Sequence, residues 1–347
     1  MKRRMKLNKS AHEVLLQVLN GNTTATQVSS TMPGRDVRSV QRSLLRLLGD
    51  GLLVRQGARN KPSYGVNHAE LLLADIDQKY LEDETRPATK FNFSLLDWLQ
   101  GAAKNRELRL LGRRLLGTVD IASSPKSMTP KELEYLTVEL SWKSSSLEGN
   151  TYTLIDTQLL LMEGVKAKHK TDFETQMILN HKNAIAFIVG HGKYFKDDIA
   201  FKTVKELHRI ITFNLGITPG IRKQLVRITA SNYVPVANPH QLKELMSETL
   251  GAINAVTDPV LKALLALAVV PYVQSFEDGN KRLGRMLANA ILIHSVGRGF
   301  SLRTVEAKEL ALAYLAFYEF NSVKDLARIL AAELAVGSQE RQDRTSR

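Results

Sequence analysis

The 347-residue sequence contains no cysteine. Disulfide bonds and thiolate metal sites are therefore excluded, and the composition fits a reducing compartment, so we expect a cytoplasmic protein. No uncharged apolar run reaches about 18 residues, the length that a membrane-spanning helix needs. The basic amino terminus, MKRRMKLNKSAHEVLL, is followed by no apolar core or small-residue cleavage site. We therefore expect neither export nor a membrane partner.

Hydrophobic residues make up 44% of the sequence, enough for sizeable cores, and the length allows two or three domains. No internal repeat is present. The formal charge of +13 is spread unevenly. Residues 1–67 hold 12 lysines and arginines against Glu13, Asp36 and Asp50, a net charge of +9, so the other 280 residues carry only +4. A basic segment joined to a nearly balanced one predicts that the first binds a polyanion.

Residues 1–67 predict three helices followed by a β-hairpin. The helices are expected at residues 10–20, 24–32 and 36–49, and LLVRQ, GARNKP and SYGVN predict two strands with a basic tip. This order resembles the winged helix-turn-helix modules of bacterial regulators, whose third helix enters the DNA major groove while the wing contacts the backbone. The alternative is that the same module serves as a protein–protein adaptor. The candidate DNA-binding residues are Arg35, Arg38, Arg42, Arg46, Arg59 and Lys61.

Residues 68–129 are interpreted as a partly helical connector. A helix is then predicted from Pro130, which is followed by acids in its first turn, to Gly149. Its last turn contains Glu148, whose negative charge opposes the helix dipole at a carboxyl end. We expect this acid to be relieved by cations elsewhere in the chain.

Residues 130–336 are interpreted as one mainly helical domain that begins with this helix. The segment VRITASNYV is rich in β-branched residues and lies between Gly220 and Pro235, so it predicts a short β-hairpin. The polar tail at residues 337–347 is predicted to be disordered.

The polar stretch QSFEDGNKRLGR, residues 274–285, lies between two long apolar helical patterns. Lys281, Arg282 and Arg285 open the second helix, where backbone N–H groups already carry partial positive charge, so these cations need an anion. With the preceding Gly-Asn turn they predict a phosphate-binding site. Asp278 stands where it could hold a divalent cation against that phosphate. The alternative is an ordinary loop with a solvated basic first turn.

Two segments resemble motifs of the Fic (Fido) family. QSFEDGNKRLGR resembles the family signature H-P-F-x-[D/E]-G-N-x-R-x-x-R, and SSSLEGN resembles its inhibitory motif [S/T]-x-x-x-E-G-N. The segments ILNHKNAIAFI, LHRIITFNLG, RITASNYVP and FYEFNSVKDL also look like their family equivalents, so the resemblance extends over residues 130–336. It implies a mainly α fold, with an all-helical Fic core and a small β-hairpin flap, preceded here by the winged helix-turn-helix domain.

The resemblance also implies an activity. Such a protein would transfer AMP from ATP to a Ser, Thr or Tyr hydroxyl of a protein target or of itself, with Mg²⁺ as cofactor, and it could form a homodimer. Asp278 would hold Mg²⁺, Arg282 would contact the nucleotide phosphates, and Arg285 would receive the γ-phosphate. Glu148 would pair with Arg285 and keep the γ-phosphate from seating productively.

Three sets of site residues follow from the resemblance. The nucleotide-binding set is Gly279, Asn280, Lys281, Arg282 and Arg285. The inhibitory set is Ser144, Glu148, Gly149 and Asn150. The flap, where a target peptide would add as an extra strand, is Thr229, Ala230, Ser231, Asn232 and Tyr233.

The chain departs from the signature at its first residue, where Gln274 replaces the histidine that takes the proton from the attacking hydroxyl. An amide can orient a hydroxyl but has no nitrogen that titrates near neutrality. General base catalysis contributes about 10² to 10⁴ in rate, so we expect a weakened or altered reaction. His208 or His294 could supply a replacement base, although a lone histidine on an apolar helix is more often a packed core residue. Lys281 replaces the commoner glycine, as in Doc-type relatives that phosphorylate their targets but also in many adenylylating members, so the lysine alone decides little.

Two function classes therefore compete. The first is a Fic-type AMP transferase, autoinhibited by Glu148 and weakened by Gln274. The second is a DNA-binding transcriptional regulator whose degenerate Fic domain binds nucleotide as a sensor, an interpretation that the basic residues 1–67 and the missing base favour. Transfer of phosphate instead of AMP is a third alternative.

Overall fold

The computed structural model describes residues 7–103, 107–116, 127–196 and 198–345. Helices dominate this part of the chain and the strands are short, so the predicted mainly α fold is confirmed. Among the described residues, no helix is both long enough and apolar enough to cross a membrane.

The amino-terminal elements follow the predicted order of three helices and a hairpin. They are α1 (Lys9–Leu19), α2 (Ala25–Ser30), α3 (Val37–Gly49) and the antiparallel strands β1 (Leu53–Gln56) and β2 (Ser63–Val66). Thr24 and Gln27 form a reciprocal capping box at the start of α2, and the Asp36 carboxylate accepts a hydrogen bond from the Ser39 N–H at the start of α3. The apolar face of α3 is buried, which leaves its arginines on the outer side.

The apolar cluster of these elements continues past residue 67 into the connector and the carboxy-terminal region. The His12 ring stacks on Tyr80 with centroids 4.5 Å apart and meets the edge of Phe320 at 5.4 Å. Tyr80 and Phe320 are themselves in edge contact at 5.8 Å. These ring contacts pack the amino-terminal elements against the rest of the chain. Moving the two parts away from each other would expose the rings to water.

The connector, predicted as partly helical, contains four helices and a short strand in its described residues. They are α4 (His68–Leu71), α5 (Gln78–Leu81), β3 (Thr89–Lys90), α6 (Phe93–Ala103) and α7 (Glu107–Leu116). Leu95, Leu96 and Leu99 of α6 are buried in the main core. The connector is therefore part of the folded body and helps to position the site described below.

Two buried helices form the centre of the carboxy-terminal region. Its elements are α8 (Pro130–Ser146), α9 (Leu154–Glu163), α10 (Asp172–Gly190), α11 (Lys193–Lys196), α12 (Phe201–Ile211), β4 (Tyr233–Val234), α13 (Pro239–Asn254), α14 (Pro259–Val273), α15 (Asn280–Val296), α16 (Ala307–Phe320) and α17 (Lys324–Thr345). Nearly every residue of α14 and α15 is buried. Gly284 of α15 faces α14 so closely that a Cβ on it would lie 2.9 Å from Pro271 Cδ, so glycine is what lets the two helices meet.

The segment VRITASNYV does not form the predicted hairpin. Only β4 is a strand, and it pairs in parallel with β3 of the connector. Glu319 accepts hydrogen bonds from the Ser231 hydroxyl and the Asn232 N–H, both at 3.0 Å, and Arg86 Nη2 donates to the Ala230 carbonyl at 3.1 Å. These partners are distant in sequence, so they overrule a β-branched composition that favours a local hairpin.

The prediction of a disordered tail is wrong for its described part, because α17 continues to Thr345. Residues 338–345, SQERQDRT, contain neither proline nor glycine, and glutamine, glutamate and arginine favour helix, so nothing in them ends α17. The tail's residues 346–347, the connector's residues 104–106 and 117–126, and the first six residues of the predicted first domain lie outside the described residues.

Candidate active site

The loop between α14 and α15 is held by its own side chains. The Asn280 Oδ1 accepts a hydrogen bond from the Phe276 N–H at 3.1 Å, and its Nδ2 donates to the Phe276 carbonyl at 2.8 Å and to Gln274 Oε1 at 3.1 Å. Gly279, which precedes α15, has φ 80°, and a Cβ on it would lie 3.0 Å from Thr212 Cγ2. Only glycine meets both conditions without strain, so the loop has one defined path.

The Gln274 amide bonds to the end of α14 and to the loop that follows it. Its Nε2 donates to the Pro271 carbonyl at 2.7 Å, while its Oε1 accepts from Asn280. Gln274 itself has a positive φ of 52° and is buried. The residue at the histidine position therefore fixes the loop and offers no titrating nitrogen to a substrate hydroxyl.

The start of α15 is suited to an anion. Among the described residues no side chain caps it, so the N–H groups of its first turn are open. The Asp278 side chain is 63% exposed, and its two oxygens accept from the Gly279 N–H at 2.6 Å and from Arg282 Nη2 at 3.0 Å. Burial lowers the pKa of Arg282, and Asp278 opposes this effect. A buried arginine and an exposed carboxylate at an open helix start fit a phosphate with a divalent cation.

Arg285 is occupied by the end of α8. Its Nη2 donates to Glu148 Oε1 at 2.7 Å and to the Ser144 carbonyl at 3.1 Å, and its Nε donates to the Ser144 hydroxyl at 2.9 Å. Lys281 Nζ lies 3.6 Å from the other Glu148 oxygen. Burial would raise the pKa of Glu148, but Arg285 and Lys281 outweigh it and hold that pKa below its usual value. Glu148 is therefore ionised and neutralises cations at the start of α15.

His181 of α10, whose role was not predicted from the sequence, supports this arrangement through Ser144. Its Nδ1 lies 2.8 Å from the Met177 carbonyl and its Nε2 lies 2.9 Å from the Ser144 hydroxyl. Because a carbonyl only accepts, Nδ1 carries the proton, and Nε2 accepts from Ser144, which in turn accepts from Arg285. Burial lowers the pKa of His181 to about 3, so the imidazole is neutral. A single histidine in an apolar helical pattern gives no sequence signal for this role.

A cavity of ≈ 170 Å³ lies over the loop. Of the predicted site residues, those that line it are Gln274, Asp278, Gly279, Asn280, Lys281, Glu148 and Thr229. Arg282 and Arg285 are buried and meet this lining through Asp278 and Glu148. Gly149 and Asn150 do not line it, and the Asn150 amide donates to the Glu174 carbonyl at 2.8 Å instead. The structure thus brings together most of the nucleotide-binding and inhibitory residues that the resemblance implied.

The flap side of this cavity is formed by Val226, Arg227, Ile228 and Thr229. Thr229 is shared with the predicted flap set, whereas Ala230, Ser231, Asn232 and Tyr233 are held away from the cavity. Ala230, Ser231 and Asn232 bond to the buried pair Arg86–Glu319, and the Tyr233 hydroxyl donates to the Tyr272 carbonyl at 2.8 Å. In the described part of the chain the backbone groups of residues 225–227 form no hydrogen bond. The backbone that is open to a target strand, at residues 225–227, therefore precedes the predicted flap residues.

Arg222, a second residue whose role was not predicted from the sequence, joins the segment before this flap to the loop. It is buried, its Nε donates to the Gln274 carbonyl at 2.6 Å, and its N–H donates to the Ser275 carbonyl at 3.0 Å. Its Nη1 donates to the Gln224 carbonyl at 2.6 Å. Arg222 therefore joins the backbone at Gln224, two residues before Val226, to the backbone at Gln274.

No described histidine lines the cavity over the loop. His208 stacks on Phe276 with centroids 3.8 Å apart, and its Nε2 donates to the Asp278 carbonyl at 2.8 Å. Burial lowers the pKa of His208 to about 4. His294 Nε2 donates to the Ile188 carbonyl at 2.8 Å. Both side chains pack against other residues, so neither supplies the replacement base.

The predicted DNA-binding residues divide into two groups. Those with exposed side chains are Arg38 and Arg42 on α3, and Arg59 and Lys61 between β1 and β2. Arg35 forms an ion pair with Glu13 at 2.5 Å, and Arg46 Nε lies 3.9 Å from Asp50. Four of the six residues therefore present free positive charge at the surface.

Comparison with known proteins gives a family match for the region that contains the loop between α14 and α15. Residues 198–292 match the model of the Fic/DOC family. A protein adenylyltransferase Fic from Culex quinquefasciatus is 27% identical over 158 residues, and one from Nematostella vectensis is 25% identical over 187 residues. These matches cover 44% and 53% of this chain but only 31% and 43% of the relatives. The chain therefore spans less than half the length of these curated relatives.

Solved structures show the same fold. A variant of a Fic-1 fragment from C. elegans superposes with a TM-score of 0.51 at 18% identity, covering 98% of this chain and 94% of that chain. A Fic family protein from Desulfovibrio desulfuricans G20 gives a TM-score of 0.51 at 16% identity, covering 74% and 77%. The family match at residues 198–292 includes the whole loop between α14 and α15, whereas Glu148 lies outside it. This chain therefore contains a domain of the Fic/DOC family.

Proposed function

We propose that this chain is a Fic-type AMP transferase that is autoinhibited by Glu148. The observation that carries the proposal is the ion pair between Glu148 and the buried Arg285, beside an open helix start and the exposed carboxylate of Asp278. The relatives named protein adenylyltransferase support ATP as the nucleotide and a protein as the acceptor.

In this proposal the ATP phosphates bind at the start of α15. The first-turn N–H groups, Lys281 and Arg282 supply positive charge there. Asp278 would hold Mg²⁺, which when bound neutralises charge on the phosphates. The residues fit such a cation, because one exposed carboxylate that leaves the other positions to phosphate and water oxygens is a usual arrangement for Mg²⁺.

The acceptor hydroxyl would be held by the flap. Residues 225–227 line or adjoin the cavity, and their backbone groups are open among the described residues, so an extended target segment can add to them as a strand. Arg222 connects this segment to the backbone of Gln274. The target would therefore be positioned relative to the loop by main-chain contacts.

The reaction transfers AMP. The hydroxyl oxygen forms a bond to the α-phosphorus, the bond from that phosphorus to the oxygen bridging to the β-phosphate breaks, and pyrophosphate leaves. The hydroxyl proton passes to water or to a carboxylate that lines the cavity, such as that of Glu277, because Gln274 has no titrating nitrogen and no described histidine lines the cavity. Positioning and charge stabilisation remain as the sources of catalysis. We therefore expect a slow enzyme.

Glu148 would inhibit by occupying Arg285. The Nε and Nη2 of Arg285 are already bonded to Ser144 and Glu148, so a γ-phosphate has to displace the carboxylate to reach them. Removal of Glu148 would open this position and leave the loop intact, since the hydrogen bonds of Asn280 and Gln274 do not involve α8.

The test is incubation with Mg²⁺ and ATP labelled on the α-phosphate, followed by detection of labelled protein. We expect label in the Glu148→Gly variant, little in the parent, and little in Glu139→Gly, a control that makes the same substitution within α8. ATP labelled on the γ-phosphate should give none. Label from the γ-phosphate would indicate phosphate transfer instead, and no label with either nucleotide in Glu148→Gly would refute the enzyme proposal.

DNA binding is a second candidate function, supported by the exposed Arg38 and Arg42 on α3 and by the exposed basic tip between β1 and β2. In this alternative the Fic domain senses nucleotide and modifies nothing. It predicts duplex binding that weakens steeply with salt and shifts when ATP is added. An absence of duplex binding at low salt would remove it and would leave the transferase proposal untouched.

A further inference from the structure

A second cavity lies between the end of α10, the start of α12 and residues 219–220. Its volume is ≈ 630 Å³, compared with ≈ 170 Å³ for the cavity over the loop. The two cavities share no lining residue, and His208, which lines the larger one, stacks on Phe276 of the loop. The volume falls within the range of about 300 to 1,000 Å³ that is typical of small-molecule sites.

Aromatic rings form one wall of this cavity. Phe187 and His191 stack with centroids 4.5 Å apart and planes at 28°, and His191 and Tyr194 follow at 5.6 Å and 11°. His191 and Tyr194 are exposed, and Lys193 Nζ lies over the Tyr194 ring at 5.3 Å from its centroid. Such a wall favours a planar aromatic molecule, which can stack on it.

The charge around the cavity is positive. Lys202 and Lys205 line it, are exposed, and form no ion pair in the described part of the chain. The acid among the lining residues, Glu206, is bonded to Arg209 at 2.6 Å and 3.0 Å. Two ammonium groups without a carboxylate partner, beside an internally neutralised pair, attract an anion.

Two buried polar groups supply hydrogen-bonding positions. His208 donates from Nε2 to the Asp278 carbonyl, so its Nδ1 is a bare acceptor, and in the described structure Nδ1 has no hydrogen-bond partner. Thr203 also lines the cavity, is 8% exposed, and its hydroxyl has no hydrogen-bond partner among the described residues. Both side chains line the cavity without a protein hydrogen-bond partner among the described residues, so a bound molecule can form hydrogen bonds with them.

We propose that this cavity binds a small aromatic anion that carries a hydrogen-bond donor, and that the bound molecule is coupled to the phosphate loop through His208. Stacking would use Phe187, His191 and Tyr194, and the negative charge would face Lys202 and Lys205. The coupling follows from geometry, because His208 holds the Asp278 carbonyl at 2.8 Å and packs on Phe276 at 3.8 Å. A ligand that fixes the His208 ring thus also fixes the loop that precedes α15.

The probe is 8-anilinonaphthalene-1-sulfonate, an aromatic anion with one N–H group, whose fluorescence rises on binding. We expect saturable binding with one site per chain. The double variant Lys202→Glu/Lys205→Glu should weaken it roughly tenfold or more, because two attractions become repulsions. The control Lys168→Glu/Lys243→Glu makes the same change in net charge on exposed lysines elsewhere and should stay within about twofold. Equal weakening in both variants, or no saturable site, would overturn the proposal.

Hydrogen exchange tests the coupling. Saturation with the probe should slow amide exchange in residues 276–281, and should leave α3 unchanged. The Lys202→Glu/Lys205→Glu variant should not show this protection at the same probe concentration. Neither readout requires AMP transfer, so failure of the proposed function would not affect them. Binding with unchanged exchange in residues 276–281 would refute the coupling.

Discussion

Glu148 and Arg285 form an ion pair of 2.7 Å between the end of α8 and the first turns of α15. The acid sits where the helix dipole of α8 is negative, and the arginine belongs to a basic first segment of α15 where the dipole is positive. Each charge is unfavourable in its own helix, and the pair relieves both. Because Arg285 is 1% exposed, only another anion, such as a phosphate, can take the place of the carboxylate without leaving a buried charge alone.

The first prediction concerns the stability of Glu148→Gly. Loss of the carboxylate leaves Arg285 buried without its counter-ion, and we expect the free energy of unfolding to fall by up to about 3–5 kcal/mol. Excess ATP and Mg²⁺ should recover part of this loss, because a ligand that binds only the folded state stabilises it. Thermal unfolding with and without ATP measures both effects.

The control for this prediction is Glu148→Gln, which keeps the size of the side chain and removes its charge. It should lose similar stability and gain a similar response to ATP. An equal ATP-dependent rise in melting temperature in the parent and in both variants would show that Glu148 does not limit nucleotide binding.

The second prediction is that Gln274→His increases the rate of AMP transfer in the Glu148→Gly background. General bases contribute about 10² to 10⁴ in rate, so we expect a gain of at least about 10². The gain should disappear in acid, because an imidazole with an ordinary pKa of about 6.5 must be neutral to take a proton. A pH profile of the rate, with Gln274→Ala as the control, separates a new base from a loosened loop. An equal rate in the histidine and alanine variants would argue against the missing base as the cause of slow transfer.

The loop between α14 and α15 and its pairing with Glu148 could be anticipated because their signals are local. An acid at one helix end and cations at another helix start are visible in the order of charges along the chain, and Gly279 marks a position that needs positive φ. The motif resemblance then assigned separate roles to residues that this physical argument had only grouped together.

The flap could not be anticipated, because long-range contacts determine it. Glu319 is 88 and 87 positions from Ser231 and Asn232, and 233 from Arg86, yet it binds all three. Local propensity in VRITASNYV favours strands, but buried hydrogen bonds to a distant carboxylate decide its path. The roles of Arg222 and His181 could not be predicted for the same reason, since Gln274 and Ser144, the site residues to which they bond, are remote in sequence.

The third prediction is that the free energy of unfolding falls as the pH is lowered from about 6.5 toward 4. Burial lowers the pKa of His68 to about 4, of His181 to about 3 and of His208 to about 4. The unfolded chain takes up protons on these groups below their ordinary pKa, whereas the folded chain does not, so acid favours unfolding. His181→Gln should reduce the slope of stability against pH by up to about 1.4 kcal/mol per pH unit.

Urea denaturation at several pH values measures this slope, and His240→Gln, which replaces an exposed histidine, is the control. We expect a larger change of slope in His181→Gln than in this control. A slope in His181→Gln equal to that of the parent would mean that His181 accepts a proton in the folded protein.

The fourth prediction addresses the winged helix-turn-helix interpretation. If α3 meets DNA, replacing Arg38 and Arg42 with alanine should weaken duplex binding across sequences. The slope of log K against log salt should fall by about 1 for each DNA phosphate that the variant no longer neutralises. Fluorescence anisotropy of a labelled duplex at several salt concentrations gives both quantities. Arg209→Ala removes an exposed arginine from α12 and should change neither quantity.

The double variant should also keep the melting temperature of the parent, because α3 packs into the core through its apolar face, opposite the two arginines. Unchanged duplex binding in that folded variant would favour the adaptor interpretation, in which the basic face of α3 contacts a protein surface.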